Sequence, residues 1–252
     1  MTARPLIVVS NDDGIDADGI WHLAAAMRQV GDVVICAPAA EHSGVGAAMT
    51  MGDAIESESV VSRLEGVEAF RIHGTPNDAV RAAFNRHTPR RPSLVVSGVN
   101  PGMNLARNSI HSGTIGAAIE GLHRRVPTLA VSAGTDRDAS LAAAARVGAR
   151  IAADLLASGE ALLLNVNVPD HPDVELAATR ITTIANTIIK RITETTTDDG
   201  LPLREVEYLD ESATQEGTDV WTVRQGQVSV TPISSNLTAF DLLEKVARIV
   251  SA

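Results

Sequence analysis

Five short runs built almost wholly of Val, Ile, Leu and Ala recur through the first two thirds of the chain: Leu6–Val9, Val33–Cys36, Leu94–Ser97, Thr128–Val131 and Ala161–Val166. A strand that is apolar at every position has both faces buried, which is the mark of a parallel sheet covered by helices. Helical periodicity fills the spaces between them, at Gly19–Val30, Pro76–Asn85, Ser112–Arg124 and Ala139–Ala157. Alternation of this kind predicts right-handed βαβ units and an α/β fold, a mainly parallel sheet flanked by helices. An insertion between Met49 and Ile72 predicts short antiparallel strands.

After Pro169 the pattern changes. Thr179–Ile192, Glu205–Leu209, Val220–Val223 and Val228–Thr231 read as strands, Asp198-Asp199-Gly200 as a turn, and Thr238–Val250 as a last helix. Residues 1–170 are therefore expected to form the core. Residues 171–252 form a β-rich C-terminal extension of the same domain, and its apolar positions need a second copy of the chain to cover them.

Bulk properties narrow the function. The 252 residues suffice for one large domain with a well-buried core. The net charge of −10, with no dense basic run, argues against duplex nucleic acid as a partner. Cys36 is the only cysteine, so neither an internal disulfide nor a cysteine-rich metal site is available; at a strand end it reads as a buried thiol. No signal peptide and no apolar run of roughly 20 residues is present, so a soluble cytoplasmic protein without a membrane partner is expected.

In a parallel sheet the loops at the carboxyl ends of the strands share one crevice. Three of those loops are rich in polar residues here: Ser10-Asn11-Asp12-Asp13-Gly14, Ala37-Pro38 with Ser43-Gly44, and Ser97-Gly98-Val99-Asn100-Pro101-Gly102-Met103-Asn104. Two adjacent carboxylates, a hydroxyl and an amide oxygen are hard donors, suited to Mg²⁺ or Mn²⁺. Asn-Asp-Asp-Gly is also an ordinary turn sequence, and the asparagines and glycines after Leu94–Val96 fit a plain turn as well. Ser112-Gly113-Thr114 opens a helix whose N-terminal N–H groups suit a phosphate, and Ser112 also suits a plain cap.

Other chemistries lack their residues. There is no phosphate loop ending in Gly-Lys-Ser/Thr and no Gly-x-Ser-x-Gly elbow. The His42–Met49 stretch has only the first two glycines of a dinucleotide fingerprint. An Asp-x-Asp phospho-aspartate pair would need an acid where Asn11 stands. The seven histidines show no His-Glu-x-x-His spacing. His42 and His111 lie beside the candidate residues and read first as neighbours of the site; His111, just before the proposed phosphate helix, is the better placed of the two to touch substrate.

Taken with Gly74-Thr75-Pro76-Asn77-Asp78, Glu120-Gly121, Leu164–Pro169, Gly217-Thr218-Asp219 and Gly226–Pro232, these segments strongly resemble, in order, the SurE family of 5′/3′-nucleotidases. The resemblance implies a Rossmann-like domain with a β-rich extension used in homodimers or homotetramers. It also implies phosphomonoesterase activity on nucleoside monophosphates, dependent on one divalent metal ion per subunit. The family's metal ligands fall on Asp12, Asp13, Ser43 and Asn100, and its phosphate contacts on Asn11, Gly44, Asn104, Ser112, Gly113 and Thr114. The chain departs from the family at Asp18, usually Pro, at His111, usually Tyr, and near Leu201–Leu209, which lacks a common Tyr-Trp pair.

The expected reaction is attack by a metal-activated water without a covalent intermediate. Asp12, Asp13 and Asn11 form the catalytic group, and Asp12 orients the water. The alternative is a non-catalytic nucleotide- or metal-binding protein on the same scaffold. If Thr114 contacts phosphate, removing its hydroxyl should reduce turnover and leave metal affinity nearly unchanged.

Overall fold

A computed structural model of the chain describes residues 3–52, 54–170, 179–186, 188–196, 202–209 and 215–250. Its elements in order are β1 (Leu6–Ser10), α1 (Asp18–Met27), β2 (Asp32–Pro38), β3 (Ser57–Val60), β4 (Glu68–Ile72), α2 (Pro76–Ala82), β5 (Leu94–Pro101), α3 (Gly113–His123), β6 (Thr128–Ala133), α4 (Asp138–Ser158), β7 (Leu163–Val168), β8 (Thr179–Ile181), β9 (Ile188–Thr196), β10 (Pro202–Leu209), α5 (Asp219–Arg224), β11 (Val228–Ile233) and α6 (Leu243–Val250).

The all-apolar runs become the centre of a nine-stranded sheet of order β3-β4-β2-β1-β5-β6-β7-β11-β8. Strands β4, β2, β1, β5, β6 and β7 are parallel to one another, while β3 and β11 pair antiparallel with β4 and β7. Alternate residues serve opposite layers. Ile7 and Val9 pack with α1 and α4 against Leu23, Met27 and Leu155, and Leu6 and Val8 pack with Val80, Val95 and Ala117 on the α2–α3 side. Cys36 lies in that second layer, where burial pushes its thiol far above its ordinary range.

The helix starts are encoded locally. At α2, Thr75 and Asp78 form a reciprocal capping box with Pro76 just inside the helix. At α3, the Ser112 hydroxyl accepts the Ile115 N–H at 3.2 Å. At the far end of α4, Gly159 takes φ +72 as its left-handed cap.

The C-terminal segment departs from two of the expected strands. Val220–Val223 is not a strand; it lies in α5, because Thr218 accepts the Trp221 N–H and caps a helix that the short apolar run alone does not reveal. Thr179–Ile192 is broken into β8 and the start of β9. Both β8 and β11 join the main sheet, so its hydrogen bonding continues past residue 170, whereas β9 and β10 pair as a separate hairpin. The Asp198–Gly200 turn lies outside the described residues.

Candidate active site

The order of connection reverses between β1 and β5: from β1 the chain passes to β2 on one side, and β5 opens the other side. Crevices at such a switch point are where open α/β sheets take ligands. Asp12 and Asp13 leave β1 here, Ser43 and Gly44 come after β2, and Asn100 ends β5.

Asn11 shapes the first loop. Its Nδ2 donates to the Gly14 carbonyl at 2.9 Å, and its Oδ1 accepts the Gly14 N–H at 3.2 Å. Gly14 sits at φ +97, where a side chain would be strained. Both ends of the Asn11 amide, expected on phosphate, are thus engaged in the turn that presents Asp12 and Asp13.

Asp12 is 3% exposed. Its Oδ1 accepts the Thr114 hydroxyl at 2.6 Å, and the Thr114 backbone N–H also supports it. Gly113 lies flat against it: a Cβ at that position would stand 2.7 Å from Asp12 Cβ and 2.9 Å from Oδ2. The N-terminus of α3 is therefore aimed at this carboxylate. Burial still dominates and raises the Asp12 carboxyl above its ordinary value; the bonds from Thr114 oppose the rise and the charge of Glu41 adds to it.

Asp13 has less help. Burial, then the charges of Asp12 and Glu41, raise its carboxyl to about 7, and its Oδ2 is buried with no hydrogen-bond partner among the described residues. A buried carboxylate oxygen without donor or cation is costly. The donor chemistry fits a hard divalent ion, which would supply the missing counter-charge. Among the described residues no group of three or more His, Cys, Asp and Glu could hold a metal. A cation here would draw on two carboxylates completed by neutral oxygens.

The neutral oxygens come from fixed loops. Ser43 Oγ donates to Glu41 Oε1 at 2.7 Å, which turns its proton away and leaves its lone pairs for a ligand. Glu41, two residues earlier in the chain, is absent from the sequence-derived set, though a carboxylate beside a candidate hydroxyl ligand was a readable signal. The loop is pinned at both ends. The His42 N–H donates to Asp12 O at 2.7 Å and the Gly46 N–H to His111 O at 2.9 Å. Farther on, Thr75 Oγ1 donates to Ala48 O at 2.7 Å, and Asp78 Oδ2 accepts the Thr50 hydroxyl at 2.7 Å. The Gly74–Asp78 motif thus holds the loop that carries Ser43. Asn100 gives its amide N–H to Gly102 O.

Asn104 buttresses Thr114. Its Nδ2 donates to Ser132 Oγ at 2.9 Å and to Thr114 Oγ1 at 3.3 Å. Its backbone is gripped from β7: Asn167 Oδ1 accepts the Asn104 N–H at 2.8 Å, and Asn165 and Asn167 donate to the Asn104 carbonyl at 2.8 and 3.1 Å. Ser112 caps α3, and exposed His111 stands immediately before it.

This geometry changes what Thr114→Val tests. The hydroxyl donates to Asp12 Oδ1 at 2.6 Å. Its loss should weaken Mn²⁺ binding by about tenfold, the scale of one hydrogen bond to a charged group, measured by calorimetry. Unchanged Mn²⁺ affinity with lost turnover would return the hydroxyl to the phosphate.

The family described as survival protein SurE matches residues 7–191. The 5′-nucleotidase SurE 1 of Thermus thermophilus is 38% identical over 247 residues, covering 96% of this chain and 97% of that protein. The 5′-nucleotidase SurE of Moorella thermoacetica is 34% identical over 253 residues, covering 98% and 96%. The crystal structure of the SurE protein from Aquifex aeolicus matches with a TM-score of 0.82 at 29% identity, covering 98% of this chain and all of that one. The family match over most of the chain and the near full-length relatives show that the chain belongs to the SurE family.

Proposed function

We propose that the chain is a divalent-metal-dependent nucleotidase that hydrolyses nucleoside monophosphates to nucleoside and phosphate. The observation that carries this reading is the Asp12–Asp13 pair. Buried Asp12 and half-buried Asp13 stand side by side at the switch point, the second with a buried oxygen that nothing among the described residues satisfies, beside the N-terminus of a helix. The relatives' names, 5′-nucleotidase SurE, point to the same chemistry.

Asp12, Asp13, Ser43 Oγ and Asn100 Oδ1 would hold one Mg²⁺ or Mn²⁺ per subunit. When bound, the ion supplies charge that offsets the phosphoryl group and lowers the pKa of a water. Asp12, fixed by Thr114, orients that water. Gly44 and the Ser112–Thr114 helix start receive phosphate oxygens. Asn11 and Asn104 hold the two loops in register, and His111 lines the substrate's approach. With Asn11 where a covalent mechanism would need an acid, attack on phosphorus is direct.

Phosphate release from a panel of nucleoside monophosphates with Mn²⁺, Mg²⁺ or EDTA tests this. Release with metal and none with EDTA is expected. Tight nucleotide binding without release would favour a non-catalytic binding protein on this scaffold.

We also assign the chain to a homodimer or homotetramer. The C-terminal segment leaves Leu237 at 85% and Ile249 at 66% exposure, with Phe240, Leu243 and Val246 also exposed. A monomer rarely leaves such a patch to water. Light scattering at micromolar concentration should give at least twice the chain mass, and a stable monomer would refute the assignment. No helix among the described residues is long and apolar enough to cross a membrane; we place the chain in the cytoplasm, and its net charge of −10 argues against duplex nucleic acid as a partner while a bound metal would supply the positive charge a nucleotide needs.

A further inference from the structure

We infer that Asp219, far from the crevice in sequence, is a positioning residue for the phosphate side of the site. Its side chain is fully buried. Oδ2 accepts the Ala106 N–H at 2.8 Å, and Oδ1 accepts the N–H groups of Ala185 and Val220, each at 2.8 Å. Only the Val220 bond belongs to its own helix start. The other two reach out to separate segments, so the carboxylate acts as a strut between them.

Ala106 is the informative end of that strut. It is one of two described non-glycine residues with positive φ, at +54. A left-handed alanine is strained and persists only where its surroundings impose it. The Asp219 bond lies on that residue's own N–H. Two residues earlier Asn104 is fixed by Asn165 and Asn167, and together these contacts hold the Asn104–Ala106 backbone from β7 and α5.

The phosphate side begins immediately beyond this point. A 3₁₀ turn over Ala106–His111 leads directly into α3. In it, Ser109 O accepts the Ser112 N–H, Ser109 Oγ donates to Asn104 O, and His111 O accepts the Gly46 N–H. The last bond joins the turn to the loop of Ser43 and Gly44. If Ala106 relaxed to a right-handed conformation, the turn would move relative to both Gly44 and Ser112–Thr114. The Asp12–Asp13 turn is held separately by Asn11, Gly14 and His42, so the metal site should be less affected.

The kinetic part of the test rests on the nucleotidase reading, so binding is measured independently. Asp219→Asn keeps the shape and puts an N–H₂ against a backbone N–H. With Mn²⁺ saturating, it should weaken inorganic phosphate binding, measured by calorimetry, by about tenfold, the scale of one charged-group hydrogen bond. KM for a nucleoside monophosphate should rise similarly, with a smaller fall in kcat. Mn²⁺ affinity should fall by less than phosphate affinity, about threefold at most, since the Asp12–Asp13 turn is held separately and only the Ser43 loop is joined to the moving turn. The double variant Asp219→Asn with Ala106→Gly should recover most of the phosphate affinity, because glycine takes a positive φ without strain.

A purely structural role would lower Tm in Asp219→Asn while phosphate affinity and KM stayed within about twofold; that result overturns the inference, as does failure of the double variant to recover phosphate affinity. Should Asp219→Asn not fold, Ala106→Val attacks the strut from its other end, since a β-branched residue is unsuited to φ +54. Phosphate affinity unchanged in that variant would equally overturn it. A wild-type protein that binds phosphate with Mn²⁺ but releases none from nucleotides would sink the nucleotidase reading and leave the binding comparison intact.

Discussion

Asp13→Asn should abolish metal-dependent phosphate release, by on the order of 10³-fold or more, the upper scale for removing one electrostatic contact to a transition state. At the same time the metal-free protein should become more stable at neutral pH. Both effects have one origin. Burial, then Asp12 and Glu41, hold the Asp13 carboxyl at about 7, well above the 3.8 of a free side chain. A carboxyl whose folded pKa lies above its unfolded value binds more protons in the native state between those two pH values. The metal-free wild type should therefore lose stability as pH rises from about 4 through 7, by up to a few kcal/mol from this group. Asp13→Asn should flatten that slope, giving a higher Tm than wild type at about pH 7.5 and little difference near pH 4. Adding Mn²⁺ should reverse the order at the higher pH, because a ligand bound only by the native state stabilises it, and only the wild type keeps both carboxylates to bind it. Equal Mn²⁺-induced shifts in the two proteins would remove Asp13 from the metal site.

The central sheet was legible because its strands are buried on both faces, so β1, β2, β5, β6 and β7 carry largely apolar runs. The loops at their carboxyl ends were legible too, since a parallel sheet must bring them to one edge. The bonding inside that edge was not. Thr114 reads as one more phosphate donor at a helix start, yet a residue 102 positions away takes its hydroxyl. Asn104 reads as a phosphate contact; in the fold Asn165 and Asn167, 61 and 63 residues on, grip its backbone, and its own amide donates to Thr114 and Ser132. Side-chain to backbone bonds across such separations leave no local pattern. The Val220–Val223 error has a different cause. A short apolar run carries no period, and Thr218-Asp219, a cap followed by a first-turn acid, was the stronger signal.

Gly116→Ala should destabilise the protein although alanine is the better helix former by about 1 kcal/mol. The reason is steric and lies at the junction of two site elements. A Cβ on Gly116 would stand 2.1 Å from Gly46 O, 2.6 Å from Gly46 C and 3.0 Å from Ala47 Cα. All three are backbone atoms, so no rotamer change relieves the overlap. Either α3 withdraws from the sheet or the loop through Ser43 and Gly44 lifts away. The first path disturbs Gly113 and Thr114 against Asp12, and the second breaks the Gly46–His111 hydrogen bond and strains that of His42 to Asp12. Overpacking of this kind costs roughly 1–3 kcal/mol or more, enough to outweigh the propensity gain and lower Tm by several degrees. Gly148→Ala is the matched comparison. It lies in α4, and its nearest neighbour is the Val131 side-chain methyl Cγ2 at 3.1 Å, which can give by a few tenths of an ångström. Its Tm and Mn²⁺ affinity should stay close to wild type, whereas Gly116→Ala should lose both stability and Mn²⁺ affinity. Equal behaviour of the two variants would mean that close seating of α3 on the Ser43 loop does not set the metal site.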